Sequence, residues 1–119
     1  MITPRRLFGD QGEALAAKWL EQQGFTIITK NYQVRLGEID IVARKEQSIV
    51  FVEVKTRKQA SFNLGATITI TKQRRIGRAA TSFILSHAIK NMSLRFDVII
   101  IVGSETNYSI QHIPNAFTI

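Results

Sequence analysis

The feature that most restricts the fold is a pair of apolar segments, GEIDIVA (37–43) and SIVFVEVK (48–55), separated by a short polar stretch. If the turn lies at Glu46-Gln47, antiparallel partners have residue numbers that sum to 93, and one face of the hairpin is wholly apolar. A shift of one residue would break that face, so burial selects this register. The predicted partners are Ile39 with Val54, Ile41 with Val52 and Ala43 with Val50 on the apolar face, and Asp40 with Glu53, Glu38 with Lys55 and Val42 with Phe51 on the other.

The second face of this hairpin places two carboxylates opposite each other. Residues directly opposed across a ladder have Cβ atoms about 4.5–5.5 Å apart, and like charges at that distance destabilise the pair. A protonated carboxyl, a surface network with Glu38 and Lys55, or a bridging divalent cation would each relieve the repulsion between Asp40 and Glu53. Carboxylate oxygens without nearby His or Cys are hard ligands suited to Mg²⁺ or Mn²⁺. The plain alternative is that the charges line the solvent face of a hairpin.

A third carboxylate, Glu13, lies in the first predicted helix. It shares a row with Ala16, Ala17 and Leu20, at spacings of three, four and seven residues. This row should meet the sheet, and a half-buried Glu is uncommon unless it is paired or bound to metal. The alternative is a Glu that reaches solvent from the edge of the apolar row.

The whole chain reads as one domain over residues 1–119, with two helices and five strands. The order αβββαββ predicts an α/β (α+β) fold in which a mixed central sheet is flanked by helices. The strand at 94–102 is almost continuously apolar and should be central, covered on both faces. The predicted elements are a helix at 5–23 stopped by Gly24, strands at 25–32, 37–44 and 48–57, a loop around Asn63–Gly65, a helix from an N-cap at Thr71 to Lys90 with Asn91 as its stop, and strands at 94–102 and 108–113.

Charge and composition limit the function classes. The chain has 16 Lys and Arg against 9 Asp and Glu, and nine of the basic residues lie between Val54 and Phe96 without one acidic residue. A block of one sign is typical of a nucleic-acid-binding surface, although a solvated basic face would look the same. The chain has no cysteine, which excludes disulfides and zinc–thiolate sites. No segment resembles a signal peptide or a membrane span, so we expect a cytoplasmic protein without a membrane partner.

The acidic residue on the first helix, the Asp on the second strand and the E-x-K on the third resemble the PD-(D/E)xK nuclease superfamily. Within it the chain is most similar to the YraN-like uncharacterised bacterial family, whose relatives resemble archaeal Holliday junction resolvases. Ile39 stands where the superfamily name has Pro. The similarity runs almost end to end, through Gly12-Glu13, Asn31, GEIDIVA (37–43), VFVEVKTR (50–57), KQRR (72–75), RFDV (95–98) and HIPNAF (112–117).

The resemblance implies a restriction-endonuclease-like core and a role for each matching residue. Asp40 and Glu53 would bind Mg²⁺ or Mn²⁺, with the main-chain carbonyl of Val54 as a further ligand. Lys55 would orient the attacking water or stabilise charge on the phosphate. Glu13 would be an outer or second-metal ligand, and Glu38 has no fixed role beyond a salt bridge to Lys55. The expected phosphate anchors are Arg57, Lys58, Lys72, Arg75 and Arg78.

Two functions of different classes follow. One is a metal-dependent endonuclease that hydrolyses phosphodiesters of DNA, including branched or recombination intermediates. The other is a non-catalytic nucleic-acid-binding module or assembly partner that keeps the fold with an idle acidic pocket. A single site cuts one strand, so a nuclease acting on duplex or four-way DNA would be expected to work as a homodimer. His87 and His112 are expected to be structural.

Overall fold

The computed structural model of the chain describes residues 4–58, 68–104 and 106–118, and the side chains from residue 11 onward. Its elements follow the predicted order αβββαββ. The predicted loop around Asn63–Gly65 lies outside the described residues. The elements are α1 (Pro4–Gln22), β1 (Thr26–Val34), β2 (Gly37–Lys45), β3 (Ser48–Arg57), α2 (Ile70–Ser86), β4 (Ser93–Ser104) and β5 (Asn107–Ile113).

The five strands form one mixed sheet in the order β1-β2-β3-β4-β5. β1, β2 and β3 are antiparallel neighbours, β3 and β4 are parallel, and β5 is antiparallel to β4. A parallel pair needs a crossover connection, and α2 lies in the segment between β3 and β4. The predicted α+β fold with a mixed central sheet is confirmed.

Two apolar clusters, one on each face of the sheet, hold the helices in place. Residues 16, 17 and 20 of α1 pack on one face, and residues 76, 79, 80 and 83 of α2 pack on the other. Along β4, Ile99 and Ile101 face α1, whereas Val98 and Ile100 face α2, and all four side chains are fully buried. This confirms the prediction that β4 is covered on both faces.

The predicted hairpin register is correct from the turn as far as Ile41. The pairs run from Lys45–Ser48 to Ile41–Val52, and in each of them the residue numbers sum to 93. Glu46, in the two-residue turn, has a positive φ of 54°, as tight hairpin turns require.

The register prediction is wrong for residues 37–40. Between the described residues of β2 and β3 the pairing stops at Ile41, so the pairs of Ile39 with Val54, Asp40 with Glu53 and Glu38 with Lys55 do not form. Ile39 packs in the α2-side cluster and Ile41 in the α1-side cluster, although alternate residues of a regular strand share a face. Oδ2 of Asp40 accepts the main-chain N–H of Val54 at 2.8 Å. β2 therefore separates from β3 at Asp40, whose carboxylate takes the place of a main-chain acceptor.

The N-cap of helix α2 lies two residues before the predicted cap. The N-cap is Thr69, whose Oγ1 accepts the main-chain N–H of Lys72 at 3.1 Å, and not Thr71, which lies in the first turn. Both threonines fit the capping preference, and only the path of the chain into the helix decides between them. The shift moves Lys72 from the first to the third helical position of α2, where its main-chain N–H donates to the cap.

The same helix ends at Ser86, four residues before the predicted end at Lys90. Ala88 takes the left-handed conformation with φ of 50°, and the N–H of Ile89 donates to the carbonyl of Ile84 at 3.0 Å. These are the features of a Schellman ending, which normally uses Gly. Asn91 also has a positive φ, but it lies beyond this ending.

A buried polar network joins the segments RFDV and HIPNAF. Asp97 is fully buried on the α1 face of β4, and it accepts two hydrogen bonds from Arg95 at 2.9 Å, one from the N–H of Asn115 at 3.0 Å, and shares one with Nε2 of His112 at 2.6 Å. Burial alone would raise the pKa of Asp97, but hydrogen bonds from His112, Arg95 and Asn115 outweigh it and lower that pKa. Because every contact is with a donor, the network acts as a structural tie between β4 and the end of the chain.

We expect Asp97→Asn to lower the free energy of unfolding by about 2 to 3 kcal/mol near neutral pH, because Arg95 would lose a buried anionic partner. An acid with a lowered folded pKa stabilises the fold above its unfolded pKa of about 3.9, and this contribution disappears as the pH falls through the folded pKa. The difference in the free energy of unfolding between wild type and variant should therefore become smaller as the pH falls. Urea denaturation at several pH values measures it.

The matched control is Glu21→Gln, which removes the same charge from an exposed position on α1 and should stay within about 0.5 kcal/mol of wild type. Equal stabilities of Asp97→Asn and Glu21→Gln near pH 7 would contradict the structural role of Asp97.

Candidate functional site

Three acidic side chains from separate elements meet where β2 separates from β3. Asp40 comes from β2, Glu53 from β3 and Glu13 from α1. The carboxyl groups of Glu13 and Asp40 are joined by a hydrogen bond, and the charge of Asp40 acts on Glu53. Lys55 lies beside them, with Nζ 3.6 Å from Oε1 of Glu53. The structure thus brings together all four residues that the sequence predicted as a site.

Two glycines allow the helices to come this close to the sheet. A Cβ on Gly12 would lie 2.5 Å from Cγ2 of Thr56 on β3, and a Cβ on Gly37 would lie 2.1 Å from the main-chain oxygen of Arg75 on α2. At Gly37 the clash is with main chain, so a larger residue would displace α2 from β2, whereas at Gly12 either the Thr56 side chain or α1 would have to shift. Each glycine is followed directly by an acidic residue, Glu13 or Glu38, so the points of closest contact also position the acidic side chains.

Burial and mutual repulsion make two of these carboxyl groups unusually basic. Glu53 has only 4% of its surface exposed. Burial, followed by the charge of Asp40, raises the pKa of Glu53 to about 7. The pKa of Asp40 is also raised, mainly by burial, despite the hydrogen bond from Val54. A proton or a bound cation would each relieve the cost of charging this pair, so protons and cations compete for it.

Lysine and arginine side chains supply the opposing charge. Nζ of Lys72 lies 3.0 Å from Oε1 of Glu38 and 3.6 Å from Oε1 of Glu53. Arg75 is 3.8 Å from Glu38. A hydrogen bond from Lys72 is the main cause of the lowered pKa of Glu38. The predicted salt bridge from Glu38 to Lys55 is wrong, because within the described part of the chain Glu38 forms its ion pairs with Lys72 and Arg75.

The donor set fits a hard divalent cation. Oε2 of Glu53 is buried, and it has no hydrogen-bond partner among the residues that the structure describes. A buried carboxylate oxygen without a partner is unusual and marks a place for an ion or another donor. In residues 11–58, 68–104 and 106–118, no three Asp, Glu or His side chains are arranged to hold one ion. The protein would offer Asp40 and Glu53, which suits Mg²⁺, since that ion usually keeps several waters and binds through one or two carboxylates.

The predicted phosphate anchors divide into two groups. Arg57 and Lys58, at the end of β3, are exposed, and so are Arg75 and Arg78 on α2. Lys72 differs from them, because it is partly buried and makes ion pairs with two acidic residues of the site. We call these four exposed residues the basic margin; among them Arg75 lies 3.8 Å from Glu38, and Arg57 and Lys58 follow Lys55 by two and three positions.

Sequence reasoning missed the position of Lys72 and the network around Asp97. The sequence indicated Lys72 only as one of several basic residues. Nothing in the periodicity of α2 showed that its side chain forms an ion pair with Glu38. Asp97 did carry a signal, since it is the one charged residue inside the apolar run 96–102. A buried charge in such a strand requires partners, and the structure provides them from the far end of the chain.

Comparison with known proteins gives the family. Residues 12–101 match the model of the family described as "Uncharacterised protein family UPF0102". The chain belongs to this family. A UPF0102 protein of Geobacter metallireducens is 43% identical to it over 118 residues, covering 98% of this chain and 97% of the relative. A UPF0102 protein of Myxococcus xanthus is 37% identical over 114 residues, covering 95% and 90%.

Membership of UPF0102 confirms the resemblance to the YraN-like family. The names of these UPF0102 relatives state no activity, ligand or partner, so the chemistry has to be argued from the site itself.

Among the described helices, none is both long and apolar enough to cross a bilayer.

We expect the stability of the metal-free protein to fall between pH 4.5 and 7, relative to a Glu53→Gln variant. An acid with a raised folded pKa stabilises the fold fully below its unfolded pKa, here 4.5, and this contribution is lost as the pH rises through about 7. Since one pKa unit corresponds to about 1.4 kcal/mol, the relative loss should be on the order of 3 kcal/mol.

Chemical denaturation in the presence of a chelator, at steps between pH 4 and 8, measures this loss. Glu21→Gln, with its exposed side chain, should follow the wild-type curve. Curves for wild type and Glu53→Gln that remain parallel over the whole range would show that Glu53 is not forced to ionise in an unfavourable environment.

Proposed function

We propose that the protein is a metal-dependent endonuclease that hydrolyses phosphodiester bonds in DNA. The observation that carries the proposal is a pair of carboxylates with raised pKa values beside Lys55, the half-buried Asp40 and the buried Glu53, whose Oε2 has no hydrogen-bond partner among the described residues. Perturbed pKa values of this kind concentrate at functional sites. The contrast with Asp97, which is equally buried but fully paired, supports a function for Glu53 beyond the fold.

Asp40 and Glu53 would hold Mg²⁺ or Mn²⁺, together with the main-chain carbonyl of Val54. Glu13, which reaches the same place from α1, would be an outer ligand or part of a second-metal site. The ion supplies Lewis-acid stabilisation of the phosphate and lowers the pKa of a bound water. The hydrogen bond from Val54 holds Oδ2 of Asp40 in place beside Glu53.

Lys55 has the charge and the position to act on the reacting phosphate. Its Nζ is 3.6 Å from Glu53 and its side chain is about one quarter exposed, so it reaches both the acidic pair and solvent. In hydrolysis a water oxygen bonds to phosphorus, one P–O ester bond breaks, and the leaving oxygen takes up a proton. A fixed ammonium group beside the phosphate stabilises the charge that develops there.

DNA is the proposed partner because the chain carries an exposed basic margin, one member of which, Arg75, lies 3.8 Å from Glu38. Arg57, Lys58, Arg75 and Arg78 are exposed and belong to the stretch that has no acidic residue. Such residues contact phosphates and position a duplex without reading its sequence. One site cuts one strand, so cleavage of duplex or branched DNA calls for two copies of the chain.

One observation favours the second candidate, a non-catalytic nucleic-acid-binding module. Lys72 and Lys55 both lie within 3.6 Å of Oε1 of Glu53, so the protein itself already compensates part of the charge in the acidic cluster. A pocket neutralised in this way could persist without metal. The two candidates differ in whether purified protein cuts DNA.

The deciding experiment is a cleavage assay with Mg²⁺ or Mn²⁺ on linear duplex, single-stranded and four-way junction DNA. Glu53→Ala should lower cleavage by about 10³-fold or more, because a metal ligand is lost. Its metal-free DNA binding should hold or tighten, since a carboxylate repels phosphate. Lys55→Ala should lower cleavage by about 10²- to 10³-fold with a modest loss of binding.

Glu21→Ala serves as the control, because it removes a carboxylate from an exposed part of α1 and should retain wild-type cleavage. Cleavage that persists unchanged in Glu53→Ala would reveal a contaminating nuclease. If no substrate is then cut although DNA is bound, the binding module is the correct function.

The basic margin makes a separate prediction about salt. Removing Arg57, Arg75 or Arg78 singly should weaken DNA binding for every sequence alike and reduce the slope of log K against log salt by about 0.9. Lys18→Ala, on the exposed side of α1, should leave the slope unchanged. Fluorescence anisotropy at four salt concentrations gives these slopes, and equal slopes for the Arg and Lys18 variants would remove the proposed DNA surface.

A further inference from the structure

Lys72 occupies a position that no other described cation shares. Its Nζ is within 4 Å of two acidic side chains, Glu38 at 3.0 Å and Glu53 at 3.6 Å. In the described part of the chain, each other Lys or Arg that forms an ion pair does so with a single acidic residue. Of the two acidic partners of Lys72, Glu53 is a proposed metal ligand and Glu38 is not. Lys72 therefore lies between the proposed metal site and its margin.

The backbone around Lys72 is fixed, while its side chain is able to move. The N-cap bond from the N–H of Lys72 to Thr69 holds the first turn of α2, and the close contact of Gly37 with Arg75 holds the next turn against β2. The side chain of Lys72 is 23% exposed, so its ammonium group also reaches solvent. A short rearrangement of this long side chain needs no movement of the helix.

An ammonium group and a divalent cation compete for Glu53. Both are attracted to the same carboxylate, and placing them side by side without water between them is unfavourable. Lys72 can leave Glu53 and keep an ion pair, because Glu38 is its closer partner. Lys55 lies 3.6 Å from Oε1 of Glu53, where the proposed function needs it beside the metal and the phosphate. The geometry thus makes Lys72 the cation that yields.

We propose that Lys72 is an internal counter-ion of this site, which compensates Glu53 until a divalent cation binds and is then held by Glu38 at the margin, with its free donors available to a phosphate. The inference rests on the metal site of the proposed function. The inference adds a competition between Lys72 and the metal ion to that site. This competition lowers the affinity for metal, and it leaves the charge of Glu53 compensated when no metal is bound.

The test is calorimetry of Mn²⁺ binding at pH 8 without DNA. Lys72→Met, which keeps most of the length of the side chain and removes its charge, should bind Mn²⁺ about tenfold more tightly than wild type. Lys72→Arg should restore an affinity near that of wild type. Arg74→Met is the matched control, because it removes one charge from an exposed position of the same helix that makes no ion pair with a described acidic residue. It should change the affinity less than twofold.

Glu38→Gln gives the complementary result. Without Glu38, Lys72 pairs with Glu53 alone, so Mn²⁺ binding should weaken about fivefold, whereas in a Lys72→Met background the same change should have little effect. Equal affinities of Lys72→Met and Arg74→Met would overturn the counter-ion role while the metal site stands. If neither wild type nor Lys72→Met binds Mn²⁺, or if an Asp40→Asn/Glu53→Gln variant binds it as wild type does, the proposed metal site itself is lost and the inference with it.

Discussion

The whole site depends on the hydrogen bond from the main-chain N–H of Val54 to the carboxylate of Asp40, because this bond stabilises the place where β2 separates from β3. At that point β2 stops pairing with β3, and a main-chain donor inside the sheet needs another acceptor. Asp40 supplies it from its side chain. The arrangement satisfies the backbone and at the same time fixes a carboxylate at the split between two strands. A buried carboxylate would be costly here without that bond.

The two helices complete the site from opposite faces of the sheet. α1 brings Glu13 to Asp40, and α2 brings Lys72 to Glu38 and Glu53. Each approach has a glycine at the contact, and both helices are held on the sheet by apolar clusters. The packing of the core therefore also sets the position of the charges. A larger residue that displaced a helix would move the charged side chain of that helix away from the place where β2 separates from β3.

Glu53 and Asp97 show how donors decide what a buried carboxylate does. They are the two charged residues buried in the described part of the chain. Asp97 is surrounded by donors from Arg95, His112 and Asn115, and its pKa is lowered. Glu53 has an oxygen without a donor and an acidic neighbour, and its pKa is raised to about 7. Equal burial thus yields a structural tie in one case and a site that attracts protons or cations in the other.

The sequence by itself determined the order of elements, the mixed sheet and the hairpin register from its turn to Ile41. These follow from local patterns, because hydrophobic periodicity, turn residues and burial act over a few neighbouring positions. The four residues of the candidate site were expected from their spacing together with the resemblance to a known superfamily. Only the tertiary structure decided that β2 leaves β3 at Asp40, that Thr69 caps α2, and that Glu38 pairs with Lys72. The bond from Val54 to Asp40 and the pair of Glu38 with Lys72 join residues 14 and 34 positions apart, and the cap at Thr69 depends on the path of the chain into the helix. Their distances are set by how the helices pack on the sheet, and no local pattern carries that information.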